Sequence, residues 1–216
     1  MPRPTHQYAA RELAGRDGVL RRLVELAGPP RLRPRDPDGR FGALVRAIVF
    51  QQLAGPAAGA IHARVRAQVS GPLTPVSLGA VPDAALRDAG LSASKLASIR
   101  DLSAKALDGT IPLDRLARFS DDEVVARLSE VRGIGRWTAE MFLLFELRRL
   151  DIWPTGDLGV RAGYGLAWGL DEPPTPKVLE PLGDPYRPFR SVVAWYCWEA
   201  VHLHRAGVDV SPAVRA

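Results

Sequence analysis

Two glycines one residue apart, where one helical pattern gives way to another, are the first residues in this chain with chemistry to offer. In Leu128-Ser129-Glu130-Val131-Arg132-Gly133-Ile134-Gly135-Arg136-Trp137-Thr138-Ala139 a helix ends, the chain turns within a few residues, and a second helix starts at once. Glycine admits positive φ and lets another backbone come close. The first turn of the new helix offers unpaired N–H groups and the positive end of its dipole. Together these make an anion site that suits a phosphate. The same residues also describe an αα-hairpin whose glycines serve only to turn the chain. Two dozen residues further on, Asp157 stands between Gly156 and another helical run. A carboxylate at a helix start accepts backbone N–H bonds and is favoured as the anion by the dipole. An ordinary N-cap has the same signature.

The elements that must position these residues are helical almost throughout. Val19, Leu20, Leu23, Val24 and Ala27 mark an amphipathic helix that Asp17 can cap, followed by a linker with Pro29, Pro30, Pro34 and Pro37. Phe41, Leu44, Val45, Ile48 and Val49 form a core-facing stripe on a helix that ends near Gln51-Gln52-Leu53. Pro56 can open the next helix, which carries Ile61, Val65 and Val69. A short helix is expected over 82–89, and another from a Ser92 cap to Leu107. Ser120-Asp121-Asp122-Glu123 is a capping box ahead of Val124, Val125 and Leu128. Further helices are expected over 136–149, 157–168, 176–182 and 185–204. No period-2 strand pattern stands out, so the expected fold class is all-α.

Composition narrows the function. The formal net charge is +5, and all but three of the 29 basic side chains are arginine, the lysines being Lys95, Lys105 and Lys177. Arginine pairs with phosphate in a planar, bidentate way, and a basic chain is the footprint of a nucleic-acid binder. A GC-rich genome would also produce an arginine-rich chain. The one cysteine, Cys197, excludes a disulfide framework, a four-cysteine zinc site and a four-cysteine iron–sulfur cluster. His6, His62, His202 and His204 form no metal set, and His202 and His204 point to different helix faces. With no apolar run long enough for a membrane span and no apolar stretch behind Met1-Pro2-Arg3-Pro4, the chain is expected to be a soluble, cytoplasmic protein with no membrane partner.

The hairpin is not alone. Phe41–Gln52, Gly90-Leu91-Ser92 with Lys95 and Ala97, Gly133–Ala139, Pro154-Thr155-Gly156-Asp157-Leu158 and Pro188-Phe189-Arg190-Ser191 together resemble the helix–hairpin–helix DNA glycosylase superfamily, in its 3-methyladenine DNA glycosylase II branch. The resemblance covers about residues 38–205. It implies a compact two-lobed helical unit over 1–216, with the N- and C-terminal helices forming one lobe, about 56–150 forming the lobe that ends in the hairpin, and a DNA cleft between lobes. About 37 residues precede the matched core, too few for the β-rich N-terminal domain of some members.

The resemblance also implies roles. Asp157 takes the position of the family's essential aspartate, and an ionised carboxylate there can stabilise positive charge developing on C1′ or activate the attacking water. Alkylation at N3 or N7 makes a purine a cationic, competent leaving group, so the protein needs to flip it out and hold it against aromatic faces. Trp137, Met141 and Trp198 match base-pocket positions, while Trp195 is expected in the core. Gln52 matches the wedge that fills the gap left by the flipped nucleotide, although it also reads as a solvated glutamine at a helix end. Gly133, Ile134, Gly135, Arg136 and Thr138 are expected to contact DNA. The carbonyls of Ser129, Val131 and Ile134 are expected to hold a monovalent cation, sodium or potassium, when DNA is bound; no other cofactor is implied.

The function so implied is a monomeric, monofunctional glycosylase that removes alkylated purines from double-stranded DNA in base excision repair. Two alternatives remain: a non-catalytic helix–hairpin–helix DNA-binding module, and a glycosylase of different base specificity. The lyase branch carries a lysine where this chain has Trp137, and often a four-cysteine cluster.

Overall fold

The computed structural model describes residues 4–212, so the Met1-Pro2-Arg3 start read above lies outside the described residues. Those residues form helices and no strand, as the all-α expectation has it: α1 (His6–Arg16), α2 (Gly18–Ala27), α3 (Gly39–Phe50), α4 (Gly55–Ala67), α5 (Pro75–Gly79), α6 (Asp83–Asp88), α7 (Ala93–Leu107), α8 (Asp121–Ser129), α9 (Arg136–Phe145), α10 (Leu158–Trp168), α11 (Pro176–Leu182) and α12 (Arg190–Arg205), with 3-10 turns at Leu113–Arg118 and Asp184–Tyr186. The expected caps are present. The Asp17 side chain accepts from Val19 and Leu20 N–H, Ser92 accepts from Lys95 N–H, and Ser120 and Glu123 close a reciprocal capping box.

The chain divides into two compact units. One runs up to Arg33 and resumes at Arg148; the other is the continuous stretch Pro34–Leu147. The middle unit therefore starts at Pro34, upstream of the boundary near residue 56 expected from the sequence. The reason is α3: its stripe of Phe41, Leu44, Val45, Ile48 and Val49 is buried, and the helix packs on α4, α7, α9 and the Leu113–Arg118 turn. In this unit α5, α6 and α3 lie against α7, and α8 lies against α9.

In the unit built from both ends of the chain, α12 packs against α10, α1 and α2. Leu13, Leu20, Leu23, Val160, Tyr164, Val192, Val193 and Tyr196 fill the core between them, and Trp195 joins it at 9% exposure. α10 and α12 meet backbone to backbone. A Cβ added to Gly163 would stand 1.8 Å from the Cys197 carbonyl oxygen, so only glycine permits this crossing. Gly163→Ala should destabilise the protein by about 3 kcal/mol or more, at or beyond the upper end of overpacking costs. A thermal melt within a degree or two of the wild type would contradict this contact.

Two expected helices are shorter than their patterns. α9 stops at Phe145 rather than near residue 149: Glu146 and Leu147 N–H both bond the Phe142 carbonyl, and Arg148 takes a positive φ of 58°. α12 starts at Arg190 rather than 185. Pro188 has no N–H to continue a helix and keeps Arg187 out of the helical region, at φ −58° and ψ 143°. The start of α12 is then secured by chemistry. Arg190, 8% exposed, donates from Nε and Nη2 to the two carboxylate oxygens of Asp151 at 2.9 Å each. Ile152 N–H donates to Ser191 Oγ at 2.8 Å, and Ser191 N–H to the Leu150 carbonyl at 3.0 Å. The segment leading to Asp157 is thereby stitched to α12.

Candidate functional site

The α8–α9 hairpin turns at Gly133, whose φ of +78° is the left-handed conformation that favours glycine. Gly135 is different: as the N-cap of α9 it is extended, with φ −96° and ψ 175°, so only one of the two glycines uses positive φ. Gly135 makes no side-chain cap bond, and a Cβ built there meets no atom within 4 Å. The space beside Gly135 is therefore open at the start of α9, the end of the helix that carries the positive end of its dipole.

α7 holds the hairpin from behind. A Cβ on Gly133 would stand 2.6 Å from Ser98 Oγ. Asp101 Oδ2 accepts from Arg132 N–H at 2.7 Å and from Lys105 Nζ at 2.8 Å, and Lys105 also donates to the Glu130 carbonyl at 2.5 Å. Burial pushes the Asp101 carboxyl up, but the bonds from Lys105 and Arg132 outweigh it and hold it below the ordinary carboxylate value.

The end of α3 is tied to the same turn. Gln51 Nε2 donates to the Gly133 carbonyl at 2.9 Å, and Lys95 Nζ donates to the carbonyls of Val49 and Gln51 at 2.7 and 2.9 Å. Desolvation in this position lowers the Lys95 ammonium from its usual pKa. With Gln51 turned toward the hairpin, Gln52 is exposed and carries a positive φ of 56°, and Leu53 beside it is 40% exposed. The bridging role of Gln51 is a feature that sequence reasoning missed; nothing in a Gln-Gln pair marks which member faces inward.

Trp137, 48% exposed, and the half-buried Met141 lie one turn apart on α9. The Arg136 side chain is exposed and lies 3.5 Å from Glu140. Thr138 and Ile134 depart from expectation in their side chains, which are buried at 5% and 3% exposure. Thr138 Oγ1 sits 3.4 Å from Gln51 Nε2, so at these two positions only the main chain is left to meet a ligand. The Val131 side chain is likewise buried, and its carbonyl accepts from Ile134 N–H at 3.0 Å.

In the other unit, Asp157 caps α10. It is 9% exposed, and its Oδ1 accepts from Val160 N–H at 2.8 Å and from Trp198 Nε1 at 2.9 Å. Asp157 and Trp198 are thus in direct contact. Beside them, burial and the Asp157 charge push the Cys197 thiol far up, so it stays protonated and is no nucleophile. Among the described residues no cluster of His, Cys, Asp or Glu could hold a metal ion, and no helix is long and apolar enough to cross a membrane.

A family model described as the HhH-GPD superfamily of base excision DNA repair proteins matches residues 45–188. The chain belongs to this superfamily. The matched stretch takes in the Gln51-Gln52 pair, Lys95, the hairpin and Asp157, and stops short of Trp198. Among relatives, the chain is 35% identical over 195 residues to DNA-3-methyladenine glycosylase 1 of Schizosaccharomyces pombe, covering 88% of this chain and 86% of the relative. Among solved structures, it is similar to the DNA-3-methyladenine glycosidase of Bacillus halodurans, with a TM-score of 0.84, 35% identity and coverage of 93% of this chain and 92% of that one. It also resembles the 3-methyladenine DNA glycosylase of Schizosaccharomyces pombe solved in complex with abasic DNA, with a TM-score of 0.77, 34% identity and coverage of 88% and 95%.

Proposed function

We propose that this chain is a monofunctional DNA glycosylase that hydrolyses the N-glycosidic bond of alkylated purines, 3-methyladenine and 7-methylguanine, in double-stranded DNA. The observation that carries the reading is a nearly buried carboxylate, Asp157, held on a helix start in a member of a base excision repair superfamily. The names of the chain's relatives supply the substrate class.

A base alkylated at N3 or N7 already carries positive charge, so it departs neutral once the C1′–N bond breaks and needs no dedicated general acid. The cost of the step is the cationic sugar. Asp157 stabilises that charge as it forms, an interaction stronger in the transition state than in the ground state. Water then adds its oxygen to C1′, and its proton passes to the carboxylate or to solvent. Trp137 and Met141 on α9, and Trp198 on α12, are each candidates for the ring faces and soft surface that receive the flipped base. Gln52, exposed at the end of α3, is the candidate wedge. The open start of α9 binds a backbone phosphate, with Gly133, Gly135 and Arg136 around it and Ile134 and Thr138 contributing main chain. A sodium or potassium ion on the carbonyls of Ser129, Val131 and Ile134 would add positive charge facing that phosphate. Buried side chains at Val131 and Ile134 suit such a backbone-only site. All of these groups come from one chain, so a monomer suffices, acting on chromosomal DNA in the cytoplasm.

Chromatography of the bases released from methylated DNA tests the reading. Free 3-methyladenine and 7-methylguanine are expected. Tight duplex binding with no release would leave the alternative of a non-catalytic DNA-binding module. Release of only oxidised or deaminated bases from matching substrates would establish a different specificity.

The product should be an intact abasic strand. A lyase attacks C1′ with an amine and proceeds through a Schiff base. At the lyase position this chain has Trp137, whose indole forms no such adduct, and Lys95 is committed to two carbonyls. Borohydride added during turnover is expected to trap no protein–DNA complex. Efficient trapping that disappears when Lys95, Lys105 or Lys177 is replaced would overturn the monofunctional reading.

A further inference from the structure

Glycine at position 159 has no backbone reason to be there. It lies in the first turn of α10 without a positive φ, where alanine is the better helix former. What it provides is room. A Cβ at 159 would stand 2.7 Å from Trp198 Cδ1, 3.0 Å from Trp198 Nε1 and 3.1 Å from Asp157 Oδ1. Any side chain there pushes the indole edge away from the carboxylate. The indole uses that room to donate Nε1–H to Asp157 Oδ1 at 2.9 Å, the oxygen that also accepts Val160 N–H at 2.8 Å.

Neutral donors from α12 and α10 converge on this one oxygen and constrain the rotation of the carboxylate. Four residues along the same face of α10, Gly163 lets the backbone of α12 approach at Cys197, the residue before Trp198. The close crossing and the indole contact are thus one turn apart on α10 and one residue apart on α12.

We propose that Gly159 and Trp198 are a positioning pair for Asp157: the glycine admits the indole, and the indole N–H aims the carboxylate at the reacting carbon. This rests on the reading of Asp157 as the carboxylate that serves the reaction. It gives Trp198 a role beyond the face it offers a base, and it gives Gly159 a role in turnover. Misplacement of a catalytic group by a fraction of an ångström to an ångström costs up to about a hundredfold in rate.

The test compares wild type, Gly159→Ala, Trp198→Phe and Asp157→Asn in single-turnover release of 3-methyladenine from a methylated duplex. Affinity for an abasic-analogue duplex and thermal melting are measured alongside. Gly159→Ala and Trp198→Phe should each lose about tenfold in the release rate while binding the duplex within about twofold of wild type. Gly159→Ala removes no atom and adds a helix-favouring residue, so it carries the test alone if Trp198→Phe fails to fold. Combined with Asp157→Asn, it should cost nothing further, because the group it aims has lost its charge. Full activity in Gly159→Ala, a loss confined to affinity, or an undiminished further loss on the Asp157→Asn background would each overturn the pair. A wild-type protein that releases no base overturns the proposed function and the pair with it. An active wild type beside an equally active Gly159→Ala overturns the pair alone.

Discussion

Asp157→Asn should bind a duplex with an alkylated purine about as tightly as wild type and release the base roughly a hundred- to a thousandfold more slowly, the scale of losing one electrostatic stabiliser of a transition state. Asparagine isolates the charge. It is as good an N-cap as aspartate, and its side-chain oxygen can still accept from Val160 N–H and Trp198 Nε1, the two donors now on Oδ1. With those two bonds kept, a fall in rate beside an unchanged thermal melt reports the lost charge. Ground-state affinity should hold because phosphate contacts dominate it and these lie on the hairpin and the arginines. A release rate within about threefold of wild type would remove Asp157 from the reaction and leave it a cap.

Gly135→Val should fold and yet lose about ten- to a hundredfold in affinity for any duplex, damaged or not, the worth of one or two hydrogen bonds to a charged phosphate. The backbone at 135 is extended and the space around its Cβ is open, so valine fits at a cap cost of about 1 kcal/mol. Its methyl groups then stand over the N–H groups at the start of α9. The neighbouring glycine is the wrong place for this experiment. Gly133→Val meets both a positive φ of 78° and Ser98 Oγ 2.6 Å from the new Cβ, so it should lower the melting temperature as well. Filter binding or fluorescence anisotropy with undamaged duplex, after a melt, separates the two. A folded Gly135→Val protein with wild-type affinity would return the turn to a purely architectural role.

What the sequence made legible follows from how strongly each feature writes its own local pattern. Caps at Asp17, Ser92, Ser120 and Asp157 were readable because a short polar side chain before an apolar periodic run has one cheap use. The α3 stripe was readable because five large apolar residues share its buried face. α1 was not, since its buried face consists of Ala9, Ala10 and Leu13, and two alanines leave almost no periodic signal. The end of α9 and the start of α12 are not legible because helical composition runs on past them, through Arg148 and across Pro188. Around the candidate site, side chains that act through main-chain contacts escaped notice: Gln51 and Lys95 reach carbonyls far along the chain, and carbonyls carry no sequence mark. Gly159 and Gly163 did leave a trace, a four-residue glycine spacing on one helix face, which marks a close helix crossing.

The division of the chain has a consequence for the order in which the protein can be made. The middle unit, Pro34–Leu147, is one uninterrupted stretch, so every contact within it becomes available once Leu147 has left the ribosome. The first two helices are in the opposite position. α1 and α2 pack against α12, which begins at Arg190, so they emerge before the middle unit and wait until it has been made for the partner that buries Leu13, Leu20 and Leu23. Domains fold as units as they are synthesised, and here the hairpin can take shape well before the carboxylate has its tryptophan. A nascent chain paused after Leu147 would carry a finished turn for phosphate and none of the residues assigned to the cationic sugar.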